Sequence, residues 1–183
     1  NRTLYGLHAS RRGIKDEGRV LFVEGYMDYL ALYQAGIHNC VATSGTALTS
    51  EHGDTIRRFT RKVVLVFDGD TAGIDAARRA VHLLMPHDLD TRVLILPDQE
   101  DPDSFVKSHG AAAFRDLVDT AEQGVAFVLD RAIATHGADS PQAKSLVLNE
   151  IIGLLEHAPG ELAFHEYARL VADRIDISQD HVY

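Results

Sequence analysis

The stretch KVVLVF at positions 62–67 constrains the fold of this chain more than any other. It is continuous, apolar and rich in β-branched residues, with no alternation between apolar and polar positions. A strand with that pattern is buried on both faces, so helices must cover the sheet from two sides. The flanking sequence agrees. RVLFVEG (19–25) and NCVATSG (39–45) are β-rich runs before it, and TRVLIL (91–96) follows, stopped by Pro97. Between them lie helical patterns: YMDYLALYQAG (26–36) ending at Gly36, SEHGDTIRRF (50–59), and AGIDAARRAVHLLM (72–85) ended by Pro86. A further helical spacing covers 4–14. Strands alternating with helices imply right-handed crossovers and a mostly parallel sheet flanked by helices, which is an α/β domain.

Beyond residue 110 the pattern is helical throughout, with a hinge near Gly124, an N-cap at Ser140 followed by Pro141, and a stop at Pro159-Gly160. The expected organisation is therefore an α/β domain over 1–121 and a helical subdomain over 122–183. No run of 18 apolar residues is present, so no membrane partner is expected. The chain starts with neither an initiator Met nor an apolar signal region, which reads as a mature or excised segment rather than an exported precursor. The single Cys40 rules out an internal disulfide and a cysteine-based zinc site, and suits a reducing cytoplasm. Ten histidines are scattered without HExxH or related spacing.

In parallel α/β sheets the chemistry collects at the carboxyl ends of the strands. Three acidic clusters fall there: Glu24 and Asp28 in EGYMD, Asp68 and Asp70 in FDGD, and Asp101 and Asp103 in EDPD. Asp68 and Asp70 would share a face if the strand continued through them. No basic residue lies inside a cluster, so six converging carboxylates call for a counter-charge. Hard oxygen ligands of this kind suit Mg²⁺ or Mn²⁺, and such ions bind phosphate-bearing substrates. Each cluster alone also fits a turn or a helix N-cap, and Asp101 in particular could cap the helix that follows. The formal net charge of −9 needs explaining in a protein that handles nucleic acid, which normally presents a basic surface. Either the acidity sits at a metal site, or the basic surface lies elsewhere. Local cations occur at Arg57, Arg58, Arg61 and Lys62, possible phosphate contacts, and at Arg78 and Arg79.

The segments VEGYMD, ATSGTA, FDGDTAG and LPDQEDPDSFV resemble, in order and spacing, the Toprim core of bacterial DnaG-type DNA primases. The resemblance covers roughly 4–183 and implies a Toprim, Rossmann-like sheet with a C-terminal helical subdomain. It further implies a metal-dependent nucleotidyltransferase, a DNA-directed RNA polymerase of the primase type making RNA primers on single-stranded DNA from ribonucleoside triphosphates. On that resemblance Glu24 is a catalytic acid/base near the 3′ hydroxyl, and Asp68 and Asp70 are central metal ligands. Asp28, Asp101 and Asp103 complete the cluster around two or more Mg²⁺ or Mn²⁺ ions. Gly25, Gly45, Thr46 and Gly69 would support the loops around them. Thr71 stands where the family often carries Arg.

The resemblance also implies that zinc belongs to a module absent from this chain, and that a basic, template-holding half precedes Asn1. The fragment alone would be inactive or weakly active. Contacts with the replicative helicase and single-strand-binding protein would lie largely outside it, and the setting would be the bacterial cytoplasm and nucleoid. Two alternatives are another Toprim enzyme of nuclease or topoisomerase type, and a haloacid-dehalogenase-type phosphatase. VVLVFDGDT also resembles the phosphatase motif, but that motif expects Thr where Ala72 stands.

Overall fold

A computed structural model of the chain describes residues 3–43, 47–97 and 100–182. They form two compact units, 1–123 and 124–183. The first is a six-stranded sheet in the order β1-β3-β2-β4-β5-β6. Its strands are β1 (Leu4–Tyr5), β2 (Val20–Val23), β3 (Cys40–Thr43), β4 (Lys62–Phe67), β5 (Asp90–Ile95) and β6 (Glu122–Gln123). The helices are α1 (Leu7–Glu17), α2 (Tyr26–Gln34), α3 (Ser50–Arg57), α4 (Thr71–Leu84) and α5 (Pro102–Asp119). The four inner strands are parallel, with Phe22 opposite Leu65 and Phe67 opposite Ile95, while β1 and β6 run antiparallel at the two edges. This is a mixed sheet, and its inner strands are those expected from the apolar runs.

Strand alternation sorts the core. Leu21, Val23, Val64, Val66 and Leu94 face one side, with Tyr29 and Leu32 of α2 and Phe105, Phe114 and Val118 of α5. Val20, Phe22, Val63, Leu65 and Phe67 are equally buried and face the other way, the side on which α4 lies against β4 and β5. The strand ends matter for function: Glu24 and Asp68 each lie one residue past a strand, β2 and β4, at the same edge of the sheet.

Two stretches differ from the sequence expectation. The helical spacing over 4–14 is split, because Leu4–Tyr5 pairs with Ala42 and Thr43 and the helix starts only at Leu7. Gly6 makes the break. Its φ of 77° is left-handed, and a Cβ there would lie 2.1 Å from the Tyr29 ring. The second difference is β6, a strand where none was expected. Glu122 and Gln123 carry no apolar pattern, and only their backbone pairing with Val93 and Arg92 makes them a strand. They belong to the sheet, so the first unit runs to 123 rather than 121.

The second unit comprises α6 (Gly124–His136), α7 (Pro141–Leu155) and α8 (Glu161–Ile175). Ser140 caps α7 by accepting a hydrogen bond from the Ala143 N–H, with Pro141 in the first turn. Val128, Leu129, Ile151, Leu154, Ala168 and Val171 are fully buried. His136 meets Glu150 at 3.0 Å, and Arg174 pairs with Asp130. Among the described residues, no helix is long and apolar enough to cross a membrane.

Candidate functional site

Three local devices bring the acidic clusters to the carboxyl edge of the sheet. At the end of β2, the Thr43 hydroxyl donates to the Glu24 carbonyl oxygen at 3.0 Å, tying the ends of β2 and β3 together. Gly25 then starts α2, and its N–H donates to Asp28 Oδ2 at 3.1 Å. Asp28 is thereby held half-buried in the first helical turn, on the strand-end side, as the spacing predicts.

After β4 the chain departs from that expectation. The strand stops at Phe67, so Asp68 and Asp70 do not alternate along it. Asp70 is instead the N-cap of α4, its Oδ1 accepting from the Gly73 N–H at 2.7 Å. Gly73 is a site residue that sequence reasoning did not single out. A Cβ at this position would lie 2.3 Å from the Asp68 carbonyl oxygen, so only glycine lets α4 begin this close to Asp68. Its signal was available in the DGDTAG wording, as a glycine in the first turn of a confident helix.

The third cluster caps α5. Asp101 Oδ1 accepts from the Ser104 N–H at 2.7 Å, and the Asp101 N–H donates to Ser104 Oγ at 3.0 Å. Asp103 accepts from Lys107 Nζ at 2.6 Å, so this cluster does have a basic partner, one helical turn on. The capping hydrogen bonds hold the Asp101 carboxyl below the usual range.

Three carboxyls lie above their ordinary range, burial being the first cause in each. Asp28 is pushed up to about 6, and the charges of Asp68, Asp101 and Asp103 add to the effect of burial. Asp68 is raised by burial, Asp101 and Asp70. Glu24 is raised by burial, Asp68 and Asp70, with the Arg79 guanidinium acting against them. Asp68 therefore links two sets of interacting charges: Asp28 feels Asp68, Asp101 and Asp103, and Glu24 feels Asp68 and Asp70. Among the described residues, no three of them close into a ready-made metal cage. The donors are nonetheless all hard oxygens, linked through Asp68, and Mg²⁺ or Mn²⁺ takes few protein ligands and keeps its waters. The residues fit such an ion.

A cleft of about 590 Å³ opens on the α4 side. Glu24, Asp28 and Thr43 line its polar rim, Phe22, Phe67 and Leu83 its apolar wall, and Arg79 is the cation that reaches into it. Gly45 and Thr46 fall outside the described residues. Gly69 lies half-buried in the bend between Asp68 and Asp70. Arg57, Arg58, Arg61 and Lys62 are not brought to the site. Lys62 opens β4 whereas Asp68 follows its end, roughly 20 Å away along the strand. Arg57 and Arg61 both pair with Asp88, and Arg58 lines a small hollow with Glu51 and Asp54.

The Toprim-like family model matches residues 21–106, and the model of the DnaB-helicase binding domain of primase matches 125–180. The DNA primase of Escherichia coli K12 is 37% identical over 163 residues, which is 87% of this chain and 28% of that protein. A DNA primase domain from Pseudomonas aeruginosa superimposes with a TM-score of 0.90 at 33% identity, over 98% of this chain and 57% of that one. The chain belongs to the bacterial DnaG-type primase family. The DNA primase of Clostridium acetobutylicum is 33% identical over 181 residues, 98% of this chain and 30% of the relative. A DnaG primase catalytic domain bound to single-stranded DNA gives a TM-score of 0.90 at 32% identity, over 98% of this chain and 58% of that one. The chain thus spans less than a third of these curated relatives' length. Neither the phosphatase reading nor another type of Toprim enzyme is favoured by these likenesses.

Proposed function

We propose that this chain supplies the carboxylate-bearing part of a primase catalytic core, which joins ribonucleoside triphosphates into an RNA primer on a single-stranded DNA template. The observation that carries this reading is the meeting of carboxylates from the ends of β2 and β4 and the start of α5, with Asp68 in the field of both groups. Asp68 and Asp70 would hold the divalent ion, Mg²⁺ or Mn²⁺, with Asp28, Asp101 and Asp103 as further ligands. Bound there, it would neutralise the carboxylates and stabilise charge on the oxygens at phosphorus. Glu24 stands above the usual carboxylate range and lines the open cleft, so its carboxylate can accept the proton of a primer 3′ hydroxyl. Asp70 and Asp101 keep one oxygen each on a helix N-terminus, which fixes where the other points.

Isothermal titration with Mn²⁺ tests the assignment. The chain should bind the ion weakly, and Asp68→Asn/Asp70→Asn should abolish the heat, since Asn preserves the cap at 70. Equal binding by both proteins would sink the reading. The chain alone is expected to make little or no primer.

A second reading concerns the helical unit. The match to the helicase-binding model over 125–180 supports a helicase contact within this chain, where the sequence resemblance set it largely outside. Leu146 and Leu162, 51% and 76% exposed, are apolar residues available for such a contact.

A further inference from the structure

A phosphate-bearing ligand that approaches six carboxylates needs more positive charge than a bound ion alone brings close to it, and this acidic chain keeps few cations near that edge. Those whose charge reaches the cluster are Lys107, acting on Asp101, and Arg79, acting on Glu24. Lys107 is already held by Asp103. Arg79 makes neither an ion pair nor a hydrogen bond among the described residues, although it is exposed and lines the cleft beside Glu24. Most other arginines of the first unit are committed: Arg12 to Asp16, Arg19 to Asp119, Arg57 and Arg61 to Asp88, Arg92 to Asp90.

The surroundings of Arg79 extend the pattern. Asp75, Arg78, Arg79, His82 and Leu83 form one stripe along α4 at helical spacing. They line a second hollow of about 580 Å³ that shares Arg79 and Leu83 with the cleft at Glu24. Arg78 lies 3.9 Å from Asp75 within this stripe. The two hollows together offer an apolar wall, an acidic rim and a cationic edge. An ordinary solvated helix face would carry such charges too, but would not place one of them in the cleft that holds the acid/base candidate.

We infer that Arg79, extended by Arg78 and His82 along α4, is the phosphate-binding edge of this site, engaging a phosphate of either the nucleotide or the nucleic-acid strand. Arginine suits the role because its planar fork can give two hydrogen bonds to one phosphate. The inference rests on the nucleotidyl-transfer reading above for the identity of the ligand. It does not rest on metal binding.

The test measures two probes on the 183-residue chain at low salt: a fluorescent ATP analogue and a fluorescein-labelled oligothymidylate. Each is titrated in EDTA and in Mn²⁺. Arg79→Ala, at an exposed helical position where Ala is well tolerated, should weaken one or both probes roughly tenfold, and Arg79→Lys by less. For the strand, the slope of log K against log salt should also fall by about 0.7. Loss confined to ATP assigns the nucleotide phosphate, and loss confined to the oligonucleotide assigns the strand. An Arg79→Ala protein that binds both probes like the surface control Arg169→Ala overturns the inference. Wild-type binding that ignores Mn²⁺ while Arg79→Ala still weakens it would instead overturn the metal reading and leave Arg79 in place.

Discussion

Asp28→Asn should make the first unit more stable at neutral pH while impairing its cation site. In the folded chain the Asp28 carboxyl is pushed up to about 6 from an ordinary value of 3.8. A raised value means that folding favours the protonated form. The stabilising contribution is fully present below about 3.8 and is lost as the pH rises through about 6. At pH 7 the folded chain therefore carries the cost of an ionised Asp28, at most about 3 kcal/mol from the difference between the two values. Asp28 is only half-buried, so solvent screening brings this to about 1–2 kcal/mol. Asn removes the charge and keeps an oxygen that can accept the Gly25 N–H. The melting temperature of Asp28→Asn at pH 7 should rise by about 3–8 °C, and the gain should shrink steadily as the pH falls to about 4. Thermal melts followed by circular dichroism between pH 4 and 7, with and without Mn²⁺, provide the assay. Added Mn²⁺ should narrow the gap by stabilising the parent more than the variant. A variant no more stable than its parent at pH 7, or a gain that persists unchanged at pH 4, would refute the argument that burial and neighbouring carboxylates strain this position.

Gly73→Ala places a methyl group 2.3 Å from the Asp68 carbonyl oxygen, and α4 must shift to relieve it. A loss of about 1–3 kcal/mol in urea unfolding is expected, along with weakened Mn²⁺ binding. Unchanged stability and binding would mean that α4 is free to move without carrying Asp68. On the helical unit, Leu162→Glu should leave the melting temperature within about 2 °C, because the side chain is 76% exposed. It should weaken capture of a replicative helicase in surface plasmon resonance, and undiminished capture would remove Leu162 from the proposed contact.

The inner sheet was legible because burial on both faces leaves an unmistakable signature. KVVLVF has no polar position to spare, and its end locates Asp68 without further information. What the sequence hid depends on the backbone. Glu122 and Gln123 became a strand through main-chain pairing, which no side-chain pattern encodes. Leu4 and Tyr5 continue a helical spacing smoothly, and only the ring of Tyr29 against Gly6, a contact between distant residues, breaks it. The acidic residues themselves were readable as a set, but their division of labour was not. Asp70 and Asp101 are caps because Gly73 and Ser104 present N–H groups to them, and Asp103 has Lys107 a turn away. The basic groups were the least legible part. Arg57, Arg58, Arg61 and Lys62 look like a phosphate site in one dimension, yet a parallel strand carries its two ends to opposite edges of the sheet.

The two-residue strands β1 and β6 also govern how the molecule behaves among its own copies. Each occupies one margin of the sheet and leaves little unpaired backbone for another chain to extend. Without them the outermost strands would be β3 and β5, with one edge of backbone unpaired, the kind of template on which intermolecular β-pairing starts. Both seals come from segments well removed in sequence from the strands they cover. During synthesis or refolding the parallel core is therefore open at its margins until Leu4–Tyr5 and Glu122–Gln123 dock, and the short interval before they do is when this chain is most exposed to aggregation.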